Sequence, residues 1–196
     1  MSEGGYRITD QFATYFMTFT IVGWVDVFTR KECCQILIDS FNYCKDNKGL
    51  ILYAYVFMES HIHLLAAAAY GSKGMSAIVR DYKTFTSKKI IEWITDNPME
   101  SRRDWLEIVF KYHGKYNSNN HVFQVWQQHN KPMICLTPQF TLQKLNYIHY
   151  NPVKSGLVDH PEDYRYSSAR NYLGRKDTVL DVQLIDYGPL IGYIAH

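Results

Sequence analysis

The stretch that most constrains this chain runs from Leu50 to Ala69. Leu50-Ile51-Leu52-Tyr53-Ala54-Tyr55-Val56-Phe57-Met58 is an apolar run rich in aromatic and branched residues, as in a buried strand. Glu59-Ser60 is a short polar step, and His61-Ile62-His63 then leads into Leu64-Leu65-Ala66-Ala67-Ala68-Ala69. By composition the second run is strand or helix; the tight step favours a second strand antiparallel to the first. On a strand His61 and His63 share one face while Ile62 points to the other. Their backbones are then roughly 7 Å apart, close enough for two imidazoles to converge on one metal ion. Two ordinary histidines at a strand end are the competing reading.

The elements around this pair fit one fold class. Thr14 to Trp24 is full of aromatic and β-branched residues and reads as a strand. Thr29 is the expected N-cap of the next helix, with Glu32 completing a capping box and Asn47-Lys48-Gly49 ending it. Gly71-Ser72-Lys73-Gly74 is a loop, and Ser76 to Ile94 reads as a long helix before Asn97-Pro98. Strand, helix, hairpin, helix is most of a ferredoxin-like βαββαβ unit in an α+β, antiparallel sandwich. Phe123–Gln128 or Pro132–Leu136 supplies the last strand. Thr137 as N-cap and Pro138 at the first helical position open a final helix, which Pro152 should stop after Asn151.

On that last helix, at 100° per residue, Leu142, Leu145 and Ile148 lie within about 120° of one another and form an apolar face. Tyr147 and Asn151 fall on the opposite side, about 40° apart, and Lys144 lies about 60° from Tyr147. The chain holds 16 tyrosines, so position alone singles one out. Tyr150, about 60° from Tyr147, is the competitor.

The 196 residues suit one domain, or one domain with an extension, and a 46% hydrophobic content suffices for a packed core. No apolar run approaches the roughly 20 residues of a membrane helix. Met1-Ser2-Glu3-Gly4-Gly5 shows no secretion signal. The four cysteines (33, 34, 44 and 135) include no Cys-x-x-Cys pair, as expected of free thiols in a reducing cytoplasm. A net charge of +2 is neutral on function, so nucleic-acid binding must come from a local cluster. The long helix offers one: Arg80, Lys83, Lys88 and Lys89, interleaved with Thr84, Phe85, Thr86 and Ser87, suit a nucleic-acid backbone and stacked bases. A solvated helix face would look the same.

His61-Ile62-His63, followed by Asn146-Tyr147-Ile148-His149-Tyr150-Asn151-Pro152-Val153-Lys154-Ser155-Gly156, resembles the HUH single-tyrosine transposases. The similarity is greatest to the REP-associated tyrosine transposases and their insertion-sequence relatives. It runs from about Tyr15 to about Gly174 and includes Pro161-Glu162-Asp163-Tyr164-Arg165-Tyr166-Ser167-Ser168-Ala169-Arg170-Asn171-Tyr172-Leu173. The resemblance implies a transposase domain over residues 1–174 and a C-terminal extension over 175–196. It implies Tyr147 as nucleophile and His61, His63 and Asn151 as ligands of a divalent Mg²⁺ or Mn²⁺. Lys144, with Arg80, Lys83, Lys88 and Lys89, would bind the substrate. That substrate would be single-stranded DNA beside a hairpin or palindromic repeat, cleaved and rejoined through a 5′-phosphotyrosine.

Relatives are monomers or homodimers, and in some dimers the tyrosine helix serves the partner's site. A DNA-binding, repressor-like derivative that no longer cleaves is the alternative, and a metal hydrolase that needs no tyrosine is a third. Two positions depart from the pattern. The insertion-sequence branch has glutamine where this chain has Asn151, and Pro-Asn is usual where Glu59-Ser60 stands. Glu59 then either adds a carboxylate near the metal or caps the turn.

Overall fold

Strand alternation divides the central side chains of this chain between two cores. In the computed structural model, which describes residues 7–115 and 122–186, β1 (Tyr15–Thr20), β2 (Leu50–Phe57), β3 (His61–Ala68) and β4 (Met133–Ile134) form one antiparallel sheet. Its order, β2-β3-β1-β4, is that of a ferredoxin-like sandwich. Tyr15, Met17, Phe19, Tyr55, Phe57, Ile62, Leu64 and Ala66 face one way. The helices α1 (Lys31–Lys48) and α2 (Met75–Asp96) cover them through Leu37, Phe41, Ile78 and Tyr82. Phe16, Ala54, Val56 and Leu65 face the other way, under Leu145 and Ile148 of the long C-terminal helix. A register shift between Leu52 and Ala54 switches the β2 positions that face α1 and α2 from Leu50 and Leu52 to Tyr55 and Phe57. The expected α+β class and hairpin are therefore present; of the two candidates for the last strand, 132–136 holds β4, while 123–128 contributes an isolated bridge from Trp126 to Ile21.

Several local expectations are corrected. Thr29 does not cap α1: it ends a short 3₁₀ turn, its hydroxyl donates back to the Asp26 carbonyl, and Arg30 takes the N-cap position without a side-chain cap. The helix does end on Gly49, at φ 72°, the left-handed conformation that the glycine makes cheap. An additional helix, α3 (Arg103–Lys115), precedes β4. The C-terminal helix, α4 (Pro138–Lys154), opens with Thr137 accepting from Phe140 N at 3.2 Å, but it runs through Pro152 for two further residues. Proline removes one donor near the end of a helix, where the ladder is already running out, and Ser155 N still reaches Asn151 O at 3.0 Å.

β2 is an edge strand, and the chain after α4 closes it. Ser167 bridges Val56, Phe57 N donates to Tyr166 O, and Ser168 N donates to Tyr55 O. Tyr164 Oη donates to Phe57 O and Tyr172 Oη to Tyr53 O. The following stretch continues the cover, with Gln183 N donating to Leu52 O and Leu180 only 2% exposed, after the short helix α5 (Ala169–Tyr172). Residues 187–196 of the expected extension lie outside the described residues. An edge sealed this way has no free ladder to pair with another chain.

Two imidazoles sit among these elements as buried neutral groups. His149 of α4, fully buried, shares a 2.8 Å hydrogen bond with Ser168 Oγ, and burial depresses it to about 3. His63 is depressed to about 3 as well, by burial first and then by His61 and Lys144. An unfolded imidazole titrates near 6.5, so below that pH the unfolded chain binds protons that the folded chain refuses. Stability is therefore intact above about pH 6.5 and falls as pH drops towards 3, by on the order of 1 kcal/mol per pH unit for each imidazole. Glu100, held at about 2 chiefly by Arg30, adds its own loss below the ordinary glutamate range. Urea midpoints measured in chelator should decline from pH 6.5 downward, with a shallower decline in His149→Gln. A midpoint flat between pH 6.5 and 4 would contradict the buried neutral imidazoles.

Candidate active site

The site is built on the α4 side of the sheet, where β1 and β3 lie side by side. Antiparallel register sets Thr18 opposite His63 and Thr20 opposite His61. The two imidazole centroids are 4.8 Å apart, nearly perpendicular. The Thr18 hydroxyl lies 2.9 Å from His63 Nδ1, and Ser60 Oγ lies 3.3 Å from His61 Nδ1. Phe16 stacks on His63 at 5.5 Å, and Trp24 meets His61 edge-on at 5.6 Å. These walls keep water off the rings, and burial lowers the proton affinity of both. Neutral imidazoles are the form that ligates metal.

One atom stands out. His63 Nε2 is buried and has no hydrogen-bond partner. Buried polar atoms almost always find one, and a metal-ligating histidine characteristically engages one ring nitrogen with a protein group and offers the other to the ion. Among the described residues no group of three or more His, Cys, Asp or Glu side chains could hold a metal, so Glu59 does not join the histidines. Its backbone carbonyl instead accepts from Phe28 N. A third protein ligand would have to be of another type, and an amide such as Asn151, half-buried one turn beyond Tyr147, is suited to it.

The tyrosine beside the histidines is Tyr147. Its ring meets His63 edge-on at 5.1 Å and Phe16 at 5.7 Å, while 38% of the residue remains exposed. Leu145 and Ile148 anchor the helix on the sheet, as the wheel of apolar positions requires, and leave Tyr147 at the margin. A single chain thus brings its own tyrosine to its own histidines. Lys144 Nζ lies 4.8 Å from the Phe16 ring centroid and 5.8 Å from that of Tyr147.

Lys154 Nζ is 5.8 Å from the Tyr147 ring as well. Sequence reasoning missed it because the helix was expected to stop at Pro152. A continuous helix puts position 154 about 20° from 147, so the signal was present. Phe16 and Thr18 were missed because only the β1–β3 register makes them neighbours of the histidines, and Trp24 because the 3₁₀ turn after β1 carries it there.

The remaining basic residues lie elsewhere. Arg80, Lys83, Lys88 and Lys89 belong to α2, on the other side of the sheet from the histidines. Arg80 pairs with Asp81, and both Lys88 and Lys89 with Glu92. Lys83 is turned inward, its ammonium 2.5 Å from the Gln127 carbonyl and 2.7 Å from Asn130 Oδ1. No helix among the described residues is long and apolar enough to cross a membrane.

No protein-family model matches this sequence, and among curated proteins no significant match is found. Among solved structures, the chain is similar to a REP-associated tyrosine transposase bound to a REP hairpin. The two share 18% identity and superpose with a TM-score of 0.63 over 96% of each chain. At that identity the likeness establishes a common fold, α+β with the antiparallel sheet described above, over essentially the whole chain.

Proposed function

We propose that this chain is an HUH-type single-tyrosine transposase, a metal-dependent enzyme that cuts and rejoins single-stranded DNA beside hairpins. The observation that carries the reading is the unpartnered, buried Nε2 of His63 with Tyr147 packed against the same ring. The shared fold with a transposase bound to a hairpin supports it, and so does the pair of lysines over the tyrosine.

A divalent cation held by His61, His63 and Asn151 would supply Lewis-acid polarisation of the scissile phosphodiester. Two imidazoles and an amide oxygen are a donor set that suits Mn²⁺ better than Mg²⁺. Tyr147 is the nucleophile. Its Oη forms a bond to phosphorus while the bond from phosphorus to the 3′ oxygen breaks. The phenolic proton passes to water, which reaches the half-exposed ring, and the departing 3′ oxygen takes a proton from water. The products are a 5′-phosphotyrosine and a free 3′-hydroxyl, and attack by another hydroxyl reverses the step without a nucleotide cofactor. Lys144 and Lys154 place positive charge beside the attacked phosphate, where anionic charge builds up. Trp24, exposed and edge-on to His61, offers its ring to an unstacked base. The four cysteines are free and three are buried, in keeping with a reducing cytoplasm.

Added Mn²⁺ should raise the melting temperature of the wild type and leave that of His63→Ala unchanged, because only the folded pair binds it. Equal stabilisation of both proteins would remove the histidines from the metal site. Incubation with a labelled hairpin-bearing single strand and Mn²⁺ should trap a denaturation-resistant adduct that maps to Tyr147. Tyr147→Phe should still fold and bind the strand but yield neither adduct nor free 3′ end. Binding without an adduct in wild type would favour the non-cleaving derivative, and continued cleavage by the phenylalanine variant would end the transposase reading.

A further inference from the structure

Lys83 is the basic residue of α2 that turns inward, partly buried and paired with no carboxylate among the described residues. Its ammonium carries hydrogen bonds to Gln127 O and Asn130 Oδ1 and lies 5.5 Å from the Phe19 ring centroid. Phe19 sits between Thr18 and Thr20, the two β1 residues paired with His63 and His61. The segment that Lys83 holds is bonded to those same two residues from the other side: Gln127 N donates to Thr20 O at 2.8 Å, and Thr18 N donates to Asn130 O at 2.9 Å. Positions 127, 130 and 133 lie along β1 at 20, 18 and 16, three residues of one strand for every two of the other. The surplus residues cannot be satisfied by the ladder, and the backbone pays with a left-handed Lys131 at φ 41°. The Lys83 ammonium fills that gap in the pairing.

We infer that Lys83 is a positioning residue for the site: by bracing the 127–130 segment against β1 it fixes Thr18, and through the Thr18 hydroxyl it fixes the ring orientation and tautomer of His63. The contacts form a continuous path, Lys83 to Asn130, Asn130 O to Thr18 N, Thr18 Oγ1 to His63 Nδ1, and they leave Nε2 as the free nitrogen. For Nε2 to carry the lone pair, Nδ1 must carry the proton and donate it to Thr18 Oγ1. Burial lowers Lys83 only to about 8, so at neutral pH it remains an ammonium with three donors. This role rests on the metal-site reading for its consequence and on the apo geometry alone for its mechanism.

The experiment therefore reads both. Ring ¹⁵N shifts of His63 are recorded in metal-free protein, and Mn²⁺ affinity is measured by calorimetry, for wild type, Lys83→Met, Thr18→Val and the double variant. Lys83→Met keeps the stem against Phe19 and removes only the ammonium. Wild type should show His63 protonated on Nδ1. Lys83→Met should show mixed tautomers and an Mn²⁺ affinity weakened about tenfold or more, with partial recovery in Lys83→Arg. The double variant should bind no more weakly than Thr18→Val, since both act through one hydrogen bond. If Lys83→Met does not fold, Asn130→Ala, which removes one acceptor of the ammonium, takes its place with the same expectations. A folded variant with wild-type tautomer and affinity would overturn the inference, as would losses that add in the double variant. Absence of Mn²⁺ binding in wild type would defeat the metal reading, while a tautomer change in Lys83→Met would still uphold the path from Lys83 to His63.

Discussion

The β1–β3 register is the constraint on which the site depends. With Thr18 opposite His63 and Thr20 opposite His61, two imidazoles face the α4 side while Ile62 and Leu64 fill the core beneath α1 and α2. A slip by one residue would turn both histidines into the larger core and expose Ile62. The register is held from both faces, because Phe19 and Tyr82 pack on one side and Phe16 and Leu65 on the other. Desolvation of the imidazoles follows from the same packing, as does the shortage of partners for Nε2.

The tyrosine depends on a second fixture. α4 crosses only one face of the sheet, and its position is set by Leu145, Ile148 and the buried His149. His149 meets Ser168, whose Oγ also accepts from Tyr55 N, so one hydroxyl joins α4 to the edge strand β2. Residues 164–172, within the stretch 161–173 that suggested the transposase comparison, are thus a structural clasp: they seal β2 and hold the helix that carries Tyr147. These residues would not need to touch DNA to bear on the cleavage proposed for Tyr147.

Much of this was legible in the sequence, where local chemistry and tertiary demand agree. The apolar run, the Glu59-Ser60 step and the His-Ile-His alternation gave the hairpin and the shared face; Gly49 and Thr137-Pro138 marked helix ends through their own backbone preferences. The failures came where a distant partner overrules a local signal. Thr29 satisfies Asp26 O in place of the α1 terminus, and Pro152 interrupts nothing because α4 has only two residues left to run. The amphipathic helix α3 was passed over although its buried Leu106, Phe110 and Gly114 recur at helical spacing. The lysines of α2 show the limit most clearly. Sequence spacing makes them one basic cluster, while the fold puts that cluster behind the sheet and spends Lys83 on Gln127 and Asn130. Lys154, hidden by the expected helix stop, stands at the tyrosine instead.

The central claim is that His61 and His63 form one metal centre with α4 close enough for Tyr147 to act at it. Anomalous diffraction at the manganese edge, from crystals grown with Mn²⁺, tests it most directly. The account requires one peak within coordination distance of ring nitrogens of both histidines, with the Asn151 amide oxygen as the third protein ligand and the Tyr147 hydroxyl facing the same space. A map with no peak between the two imidazoles, or with manganese bound only by other side chains, would contradict it.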